Sequence, residues 1–395
     1  MASEHSPRLR GSQNQTGGSV LWHGMLVGLG RSEFADRLAE RLRSPVMWPE
    51  VLTESHRWRV APLLYAGLRT AAADTVPTAV LEALRRAALA SGARSVRLEQ
   101  AAASAIEAAS GEGIPILLLK GPALQRLVYP AGIARPLDDV DLLVAPADGP
   151  RFGDLLRRRG YRNDLRGEED FFAPDLTHSI DLHTGLLNTT RLPARGALWP
   201  QAFETIWRRR LPLTLAGVPA WTLGPQDCLQ YLAVHAVHHH GMQGIRWMAD
   251  FLAALQAWPA SPRACLRSPA AVRRSVWYCL DRLAARGVDP VPETRAALRP
   301  RHLFPGERRI LAQAGHGEGA GHLRYGLTFA CLPGWPARAA FVRQLLFPSD
   351  GVFAAGFSDA GRPPRHAWMA HWRQLAHLVA GHAEPKRAAA TEDAG

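Results

Sequence analysis

Cysteine, lysine and long apolar runs are all scarce in this chain of 395 residues. Its four cysteines lie far apart and form no C-x-x-C pair, which argues against a disulfide framework and against a cysteine-based zinc site. No apolar run approaches the roughly 18 residues that a membrane-spanning helix needs. The N-terminus lacks the apolar segment of a secretory signal peptide, so we expect a cytoplasmic protein with no membrane partner.

Only two of the 47 basic residues are lysines, Lys120 and Lys386. The formal net charge is +12 at pH 7, and such a basic chain is able to bind nucleic acid. The arginines are scattered and the chain is rich in Ala, Arg, Gly and Pro throughout, so a general compositional bias is the favoured explanation of the charge. A phosphate-rich small substrate would also suit a basic protein, and a nucleic-acid partner is the alternative. A compact lysine ammonium fits a tight phosphate site, which makes Lys120 a candidate binding residue.

The hydrophobic pattern changes period twice and divides the chain into five predicted segments. Apolar residues recur at helical spacing in the first and last thirds, with strand-like runs between them. We predict a helical region over residues 19–112, broken at Ser91-Gly92, a core over residues 113–224 and a helical domain over residues 225–383. The polar ends, residues 1–18 and 384–395, are predicted to be disordered tails.

The predicted core alternates strands with helices. Ile116–Leu119 is an apolar run typical of a strand buried on both faces, and Pro122 suits the first residue of a following helix. Val140–Val144 predicts a second strand, Ser179–His183 predicts the second strand of a hairpin, and residues 211–223 predict a further β segment. This order indicates a small mixed sheet in an α+β fold.

Acidic residues with strand spacing lie within this core. Asp139 and Asp141 are two residues apart, so on a strand both side chains would point to one face. Carboxylates held this close repel each other unless a cation neutralises them, and hard oxygen ligands suit Mg²⁺ or Mn²⁺. Asp181 and His183 repeat the spacing on a later strand. Three aspartates on adjacent strands predict a two-metal site beside a triphosphate.

A Lys-Gly turn lies between the first buried strand and the next helix. Gly121 lets the backbone approach a phosphate, the helix N-terminus favours anions, and Lys120 is able to neutralise one negative charge. Arg135 is a further candidate to pair with a phosphate, and the alternative is a salt bridge with Asp138 or Asp139.

Histidines after the core offer a different chemistry. His235 and His239 are four residues apart, as in the H-E-x-x-H motif, but the intervening Ala236 leaves no general base for a zinc protease. We therefore expect these side chains to line the substrate cleft or the helix surface. His183 is expected to orient Asp181 or to contact substrate, and the alternative is a structural polar residue at a strand end.

These motifs resemble the DNA polymerase β-like nucleotidyltransferase superfamily and, within it, the uncharacterised nucleotidyltransferase family. The family pattern is L-K-G, then Y, R, D-[IV]-D-L-L-V and [ED]-L-H. It matches Leu119-Lys120-Gly121, Tyr129, Arg135, Asp139–Val144 and Asp181-Leu182-His183. Flanking similarities include His56, Ala61–Leu64, Trp247, Asp250 and Phe347–Ser349, so the resemblance covers roughly residues 20–360.

The resemblance implies an enzyme dependent on Mg²⁺ or Mn²⁺ that transfers an NMP unit from an NTP, with ATP the expected nucleotide, and releases pyrophosphate. Asp139 and Asp141 would bind both metals, and Asp181 would bind the metal beside the acceptor and act as general base. Other residues would contact nucleotide or cofactor, namely Lys120, Gly121, Arg135 and His183. The acceptor would be a small molecule, a peptide or a protein.

One position departs from the superfamily pattern, because Pro122 stands where a serine or glycine normally completes the turn. The hydroxyl that helps to hold the triphosphate is therefore absent, and either Lys120 substitutes for it or NTP handling is altered or lost. Two alternative functions remain open. One is an RNA- or tRNA-modifying nucleotidyltransferase, and the other is a catalytically degenerate nucleotide-binding module.

Overall fold

The computed structural model describes residues 7–163, 169–187, 189, 192–258, 261–313, 323–347 and 372. The fold is α+β, as predicted, with one mixed sheet flanked by helices. Across these ranges no helix combines the length and apolarity needed to cross a membrane. The first helix begins at Pro7, so residues 7–18 are helical where the sequence predicts a disordered tail. The predicted tail over residues 384–395 lies outside the described ranges.

Four helices precede the long helix that leads to the sheet: α1 (Pro7–Gly28), α2 (Ala35–Leu42), α3 (Trp48–Arg57) and α4 (Ala61–Ala72). Helices α1 and α4 pack closely through glycines. A Cβ atom on Gly67 would lie 1.9 Å from the Gly24 carbonyl oxygen, and one on Gly28 would lie 2.1 Å from that of Leu63. Only glycine allows two backbones to approach this closely.

Helix α5 (Thr78–Gly111) is continuous over 34 residues. The predicted break at Ser91-Gly92 is therefore wrong. An interior glycine costs a helix only about 1 kcal/mol. Packing against the sheet through Leu98, Ala102 and Ile106 offsets that cost.

Among the described residues the sheet has seven strands, in the order β3-β4-β5-β2-β1-β7-β6. The strands are β1 (Ile116–Leu118), β2 (Val140–Val144), β3 (Arg162–Asn163), β4 (Asp170–Phe172), β5 (Ser179–His183), β6 (Leu211–Leu215) and β7 (Val218–Thr222). Strand β2 is antiparallel to β1 and parallel to β5, while β4 and β5 form the predicted hairpin. The predicted strands of the core are thus confirmed.

The remaining helices surround this sheet. Within the core they are α6 (Pro122–Leu127), which begins at the predicted proline, α7 (Gly149–Arg158) and α8 (Phe203–Arg208). The C-terminal part contains α9 (Pro225–His238), α10 (Ile245–Ala257), α11 (Ser261–Ala264), α12 (Ala270–Ala284), α13 (Pro292–Leu298), α14 (Pro305–Gln313), α15 (Leu323–Cys331) and α16 (Gly334–Leu346). The predicted boundaries near residues 112 and 224 fall where helix gives way to sheet and sheet to helix, and the division into domains stays a prediction.

The sheet separates two apolar cores. Alternate residues of β2, namely Val140, Leu142 and Val144, pack with α5 and α7 on one face. Leu143 faces the opposite way and joins a core shared with α9. Because strand side chains alternate, Asp141 lies on the same face as Leu143. The fold thus places a carboxylate between the sheet and α9.

Candidate active site

Four polar side chains meet on the α9 face of the sheet. The register of β2 and β5 sets Asp141 opposite Asp181 and Leu143 opposite His183. Ligand atoms of Asp141, Asp181 and His183 all lie within 4.8 Å of one another. Asp141 Oδ1 is 3.0 Å from Lys120 Nζ and 3.1 Å from His183 Nε2. The structure therefore brings four of the predicted site residues into one group.

Asp139 lies one residue before β2 and outside the three-residue ligand group. Burial, and next the charge of Asp141, raise the pKa of Asp139 above its usual range, so the two carboxylates interact. Within the described residues the ligand group is two aspartates and a histidine, in place of the three aspartates that the sequence predicts. A metal-binding role for Asp139 stays a prediction.

Asp141 is 2% exposed, and its Oδ2 atom is buried with no hydrogen-bond partner in the described part of the chain. Burial opposes ionisation, but the charges and hydrogen bonds of Lys120 and His183 hold the pKa of Asp141 well below its usual range. A buried, ionised carboxylate with an unused oxygen is unfavourable until a further cation or donor contacts it. Asp141 Oδ2 is therefore available to a ligand.

The pKa of Asp181 is shifted in the opposite direction from that of Asp141. Burial, followed by the charges of Asp139 and Asp141, raises the pKa of Asp181 to about 8. Burial alone would lower the pKa of Lys120, but Asp141 and Asp139 outweigh it and raise that pKa above its ordinary value. Closely spaced carboxylates repel each other when both are ionised, and a bound divalent cation would relieve this repulsion.

These residues fit a divalent cation. The unpartnered Asp141 Oδ2, the Asp181 carboxylate and the His183 ring supply oxygen and nitrogen donors from two adjacent strands. Carboxylates suit Mg²⁺ and Mn²⁺, and an imidazole ligand favours Mn²⁺ over Mg²⁺. The sequence pattern D-L-H carried the signal for His183, because residues two apart on a strand share a face.

A family described as uncharacterised nucleotidyltransferases matches residues 44–285 of this chain. The match covers more than half of the sequence and includes the Lys-Gly turn, β2, β5 and α9. The chain belongs to this family. No curated protein and no solved structure matches it significantly. Membership confirms the family that the motifs resemble and supports nucleotidyltransferase activity in general.

The Lys-Gly turn of this family member depends on a glycine backbone. Gly121 has φ +61° and ψ −114°, a conformation that residues with a side chain rarely adopt. A Cβ atom there would meet Leu137 Cδ2 at 3.7 Å, which is an ordinary contact. Glycine is therefore required at this position for its backbone conformation and not for lack of space. This backbone conformation turns the chain directly after Lys120.

We expect Gly121→Ala to lower the free energy of unfolding by about 1–3 kcal/mol, because the turn must hold a strained backbone. Urea denaturation of the full chain followed by circular dichroism measures this change. Gly111→Ala is the control, since that helical glycine has no atom within 4 Å of an added Cβ and should be neutral or slightly stabilising. Equal stability of the two variants would contradict the assignment.

Arg135 is paired with a carboxylate outside the ligand group. Its Nε and Nη2 atoms donate to the two oxygens of Asp250, each at 2.8 Å, and the Tyr129 hydroxyl donates to Asp250 Oδ1 at 2.6 Å. Arg135 is 3% exposed and Asp250 0% exposed. This buried ion pair connects the segment before β2 to α10. Contact of Arg135 with a phosphate stays a prediction.

Asp138 is the centre of a second charged group. It pairs with Arg59 and with Arg246. The alternative from the sequence, a salt bridge between Arg135 and Asp138 or Asp139, is wrong, because Arg135 pairs with Asp250. Arg94 donates from Nε to the Leu137 carbonyl and from Nη2 to that of Asp138. Three arginines therefore surround one aspartate on the Asp139 side of the site. This group could not be predicted from the sequence, because its arginines are scattered along the chain.

Helix α9 covers the opposite side. His235 Nε2 lies 3.5 Å from Lys120 Nζ and 3.0 Å from His240 Nε2, so His235 lines the cleft, as predicted. Burial, followed by the charge of Lys120, lowers the pKa of His235 well below its usual range, and its ring is neutral at pH 7. His238 instead bonds Thr328 and Ser275 through its two ring nitrogens and is structural.

Proposed function

We propose that this protein is a nucleotidyltransferase dependent on Mg²⁺ or Mn²⁺ that transfers an NMP unit from an NTP, with ATP the first candidate, to an acceptor hydroxyl or amine. The single observation that carries the proposal is the convergence of Asp141, Asp181 and His183 within 4.8 Å, with Lys120 3.0 Å from Asp141. Family membership supports the reaction class.

A divalent cation held by this group would supply positive charge to the transferring phosphoryl group. The chain itself contributes Lys120, whose ammonium lies at the turn and has hydrogens beyond those used by Asp141. Lys120 is placed to donate to a phosphate oxygen, which supports the idea that it substitutes for the hydroxyl missing at Pro122. Its charge survives burial because Asp141 and Asp139 raise its pKa.

Arg59, Arg94 and Arg246 add positive charge on the Asp139 side. Asp138 is the shared carboxylate partner of Arg59 and Arg246. Burial, together with repulsion from neighbouring arginines, lowers the pKa of both of these guanidinium groups. An excess of arginines over carboxylates favours a triphosphate on this side of the site.

Asp181 is the proposed general base. The acceptor must lose a proton as its oxygen or nitrogen attacks the α-phosphorus, while the bond from that phosphorus to the bridging oxygen breaks and pyrophosphate leaves. With no cation bound, burial and the neighbouring carboxylates raise the pKa of Asp181 above that of an ordinary aspartate, and with a cation bound Asp181 would act as base through an oxygen that the cation leaves free. A base with a pKa near the working pH accepts such a proton effectively.

Calorimetry of the full chain with Mn²⁺ and each NTP tests binding, and incubation with α-labelled NTPs and a panel of acceptors tests transfer. We expect one NTP to bind with a Kd between about 1 μM and 1 mM, the usual range for enzyme substrates, and EDTA to abolish transfer. Binding without transfer to any acceptor would favour the degenerate binding module. Absence of NTP binding with either cation would exclude the proposed function.

A further inference from the structure

A pocket opens beside His183. His183 pairs with Leu143 near the end of β2, whereas Asp138, which the arginine group surrounds, precedes the start of β2. The pocket lies between β5 with the segment after it, the 3₁₀ turn Pro193–Leu198, and α9. Its lining includes His183, Arg195, Tyr231, His235 and His239, together with two leucines. Since the His183 ring also bonds Asp141, a molecule in this pocket would lie next to the carboxylate group.

Arg195 gives the pocket an unusual charge. The side chain is 8% exposed, and its Nη2 atom donates to the His238 carbonyl at 3.1 Å. Its Nε atom is buried without a hydrogen-bond partner in the described residues, and none of their carboxylates forms an ion pair with Arg195. A buried guanidinium with no anionic partner is costly, and arginines are almost never buried unless paired.

The charge of Arg195 persists at neutral pH. Burial lowers the pKa of Arg195 only to about 10, so the group stays protonated at pH 7. His235 is neutral, and burial also lowers the pKa of His238 to about 3. The pocket therefore presents one guanidinium that has a free Nε donor and no carboxylate partner in the described residues. The rings of His235 and His238 beside it are neutral, whereas burial opposes but Asp141 raises the pKa of His183. An anion would satisfy both the charge and the donor.

The size of the pocket restricts what it holds. The volume open to the centre of a water-sized molecule is about 20 Å³. By this measure a cavity needs about 10–15 Å³ to hold one water. The enclosed part of the pocket thus suits one small terminal group such as a carboxylate or a phosphate, and the rest of a ligand would lie outside it. The position of the pocket beside His183, near the end of β2 that is farther from the arginines proposed for the triphosphate, leaves the acceptor as its occupant.

We propose that this pocket binds the acceptor, and that the acceptor is an acidic small molecule whose carboxylate or phosphate group pairs with Arg195. The inference rests on the proposed nucleotidyl transfer and adds the chemical class of the acceptor. Arg195 Nε and a second guanidinium nitrogen would donate to the anion, while the molecule's hydroxyl or amine extends past His183 toward Asp181. Arg195 is thereby a specificity-determining residue.

Calorimetric titration of the EDTA-treated full chain with inorganic phosphate and with glutamate tests the pocket directly. We expect Arg195→Met to weaken binding of at least one of these anions by about 10- to 100-fold, the effect of losing charge-assisted hydrogen bonds. Arg308→Met, at an exposed helical position, is the matched control and should bind as the unmodified chain does. If Arg195→Met fails to fold, Arg195→Gln and Arg195→Lys replace it.

Two results would overturn the proposal. The first is that neither anion binds the unmodified chain, or that the Arg195 variants bind as tightly as Arg308→Met. The second is that ATP with Mg²⁺ displaces the bound anion, because the pocket would then hold phosphates of the nucleotide. Simultaneous binding of ATP and the anion supports the acceptor assignment.

The titrations with phosphate and glutamate require neither an NTP nor turnover. Failure of nucleotidyl transfer would therefore leave their outcome unaffected, and the two proposals fail separately. Where transfer is observed, acidic acceptors should lose activity in Arg195→Met through a raised KM, while the affinity for ATP changes by less than about threefold.

Discussion

Replacement of Asp141 by asparagine should reduce nucleotidyl transfer by about 10³-fold or more. Asparagine keeps the shape of the side chain but removes the charge that Lys120 and His183 contact at 3.0 and 3.1 Å. Of the two carboxylates in the ligand group, it replaces the one whose pKa is held well below its usual range, and so the ligand that stays ionised more readily. A loss of about 4 kcal/mol of transition-state stabilisation corresponds to this rate change.

Two measurements on the Asp141 variant separate chemistry from folding. Transfer of labelled nucleotide gives the rate, and Mn²⁺ titration followed by electron paramagnetic resonance gives the cation affinity, which should fall in parallel. Asp36→Asn changes an exposed aspartate on α2 and should leave both values unchanged. An Asp141→Asn variant that keeps its rate and its Mn²⁺ affinity would place the metal site elsewhere.

Substitution of Asp250 by leucine should lower the free energy of unfolding by about 3–5 kcal/mol, the cost of breaking a buried ion pair. The change leaves the Arg135 guanidinium buried without its carboxylate and the Tyr129 hydroxyl without its acceptor. Urea denaturation of the full chain, followed by circular dichroism and tryptophan fluorescence, measures the loss. Glu82→Gln, at the exposed pair with Arg85, is the control and should leave the free energy of unfolding nearly unchanged.

A double variant tests whether the Arg135–Asp250 interaction is the cause. Arg135→Met combined with Asp250→Leu removes both charges and fills the space with apolar groups, so it should be more stable than Asp250→Leu alone. If the costs of the two single substitutions simply add, then the two residues do not act as a pair. Retained NTP affinity in the folded double variant would also exclude a phosphate contact by Arg135.

The sheet and much of its polar group could be predicted because they depend on local patterns. A period of two fixes which face a strand residue occupies, so Asp141, Asp181 and His183 follow from D-V-D and D-L-H once their strands are adjacent. The Lys-Gly turn was likewise recognisable from an apolar run followed by glycine and proline.

Other features depend on tertiary contacts that no local pattern carries. Arg135 and Asp250 are separated by 115 positions, and their pairing depends on how α10 packs against the segment before β2. The start of β2 at Val140 leaves Asp139 outside the strand, a difference of one residue that hydrophobic periodicity does not determine. Arg195 is one arginine among many, and only its burial beside α9 distinguishes it. Packing against the sheet likewise keeps α5 continuous through Gly92.

Helix α9 covers the polar side chains of the Lys-Gly turn, β2 and β5, and the ribosome adds those residues to the chain well before it reaches α9. Lys120 and His235 are 115 residues apart in the chain, and a ribosome adding about 5–20 residues per second needs roughly 6–23 s to make that interval. Until α9 emerges, the carboxylates of β2 and β5 face solvent and the pocket beside Arg195 lacks one wall. A nascent chain that stalls between β7 and α9 therefore carries the acidic residues of β2 and β5 without the helix that covers them and encloses the pocket beside Arg195.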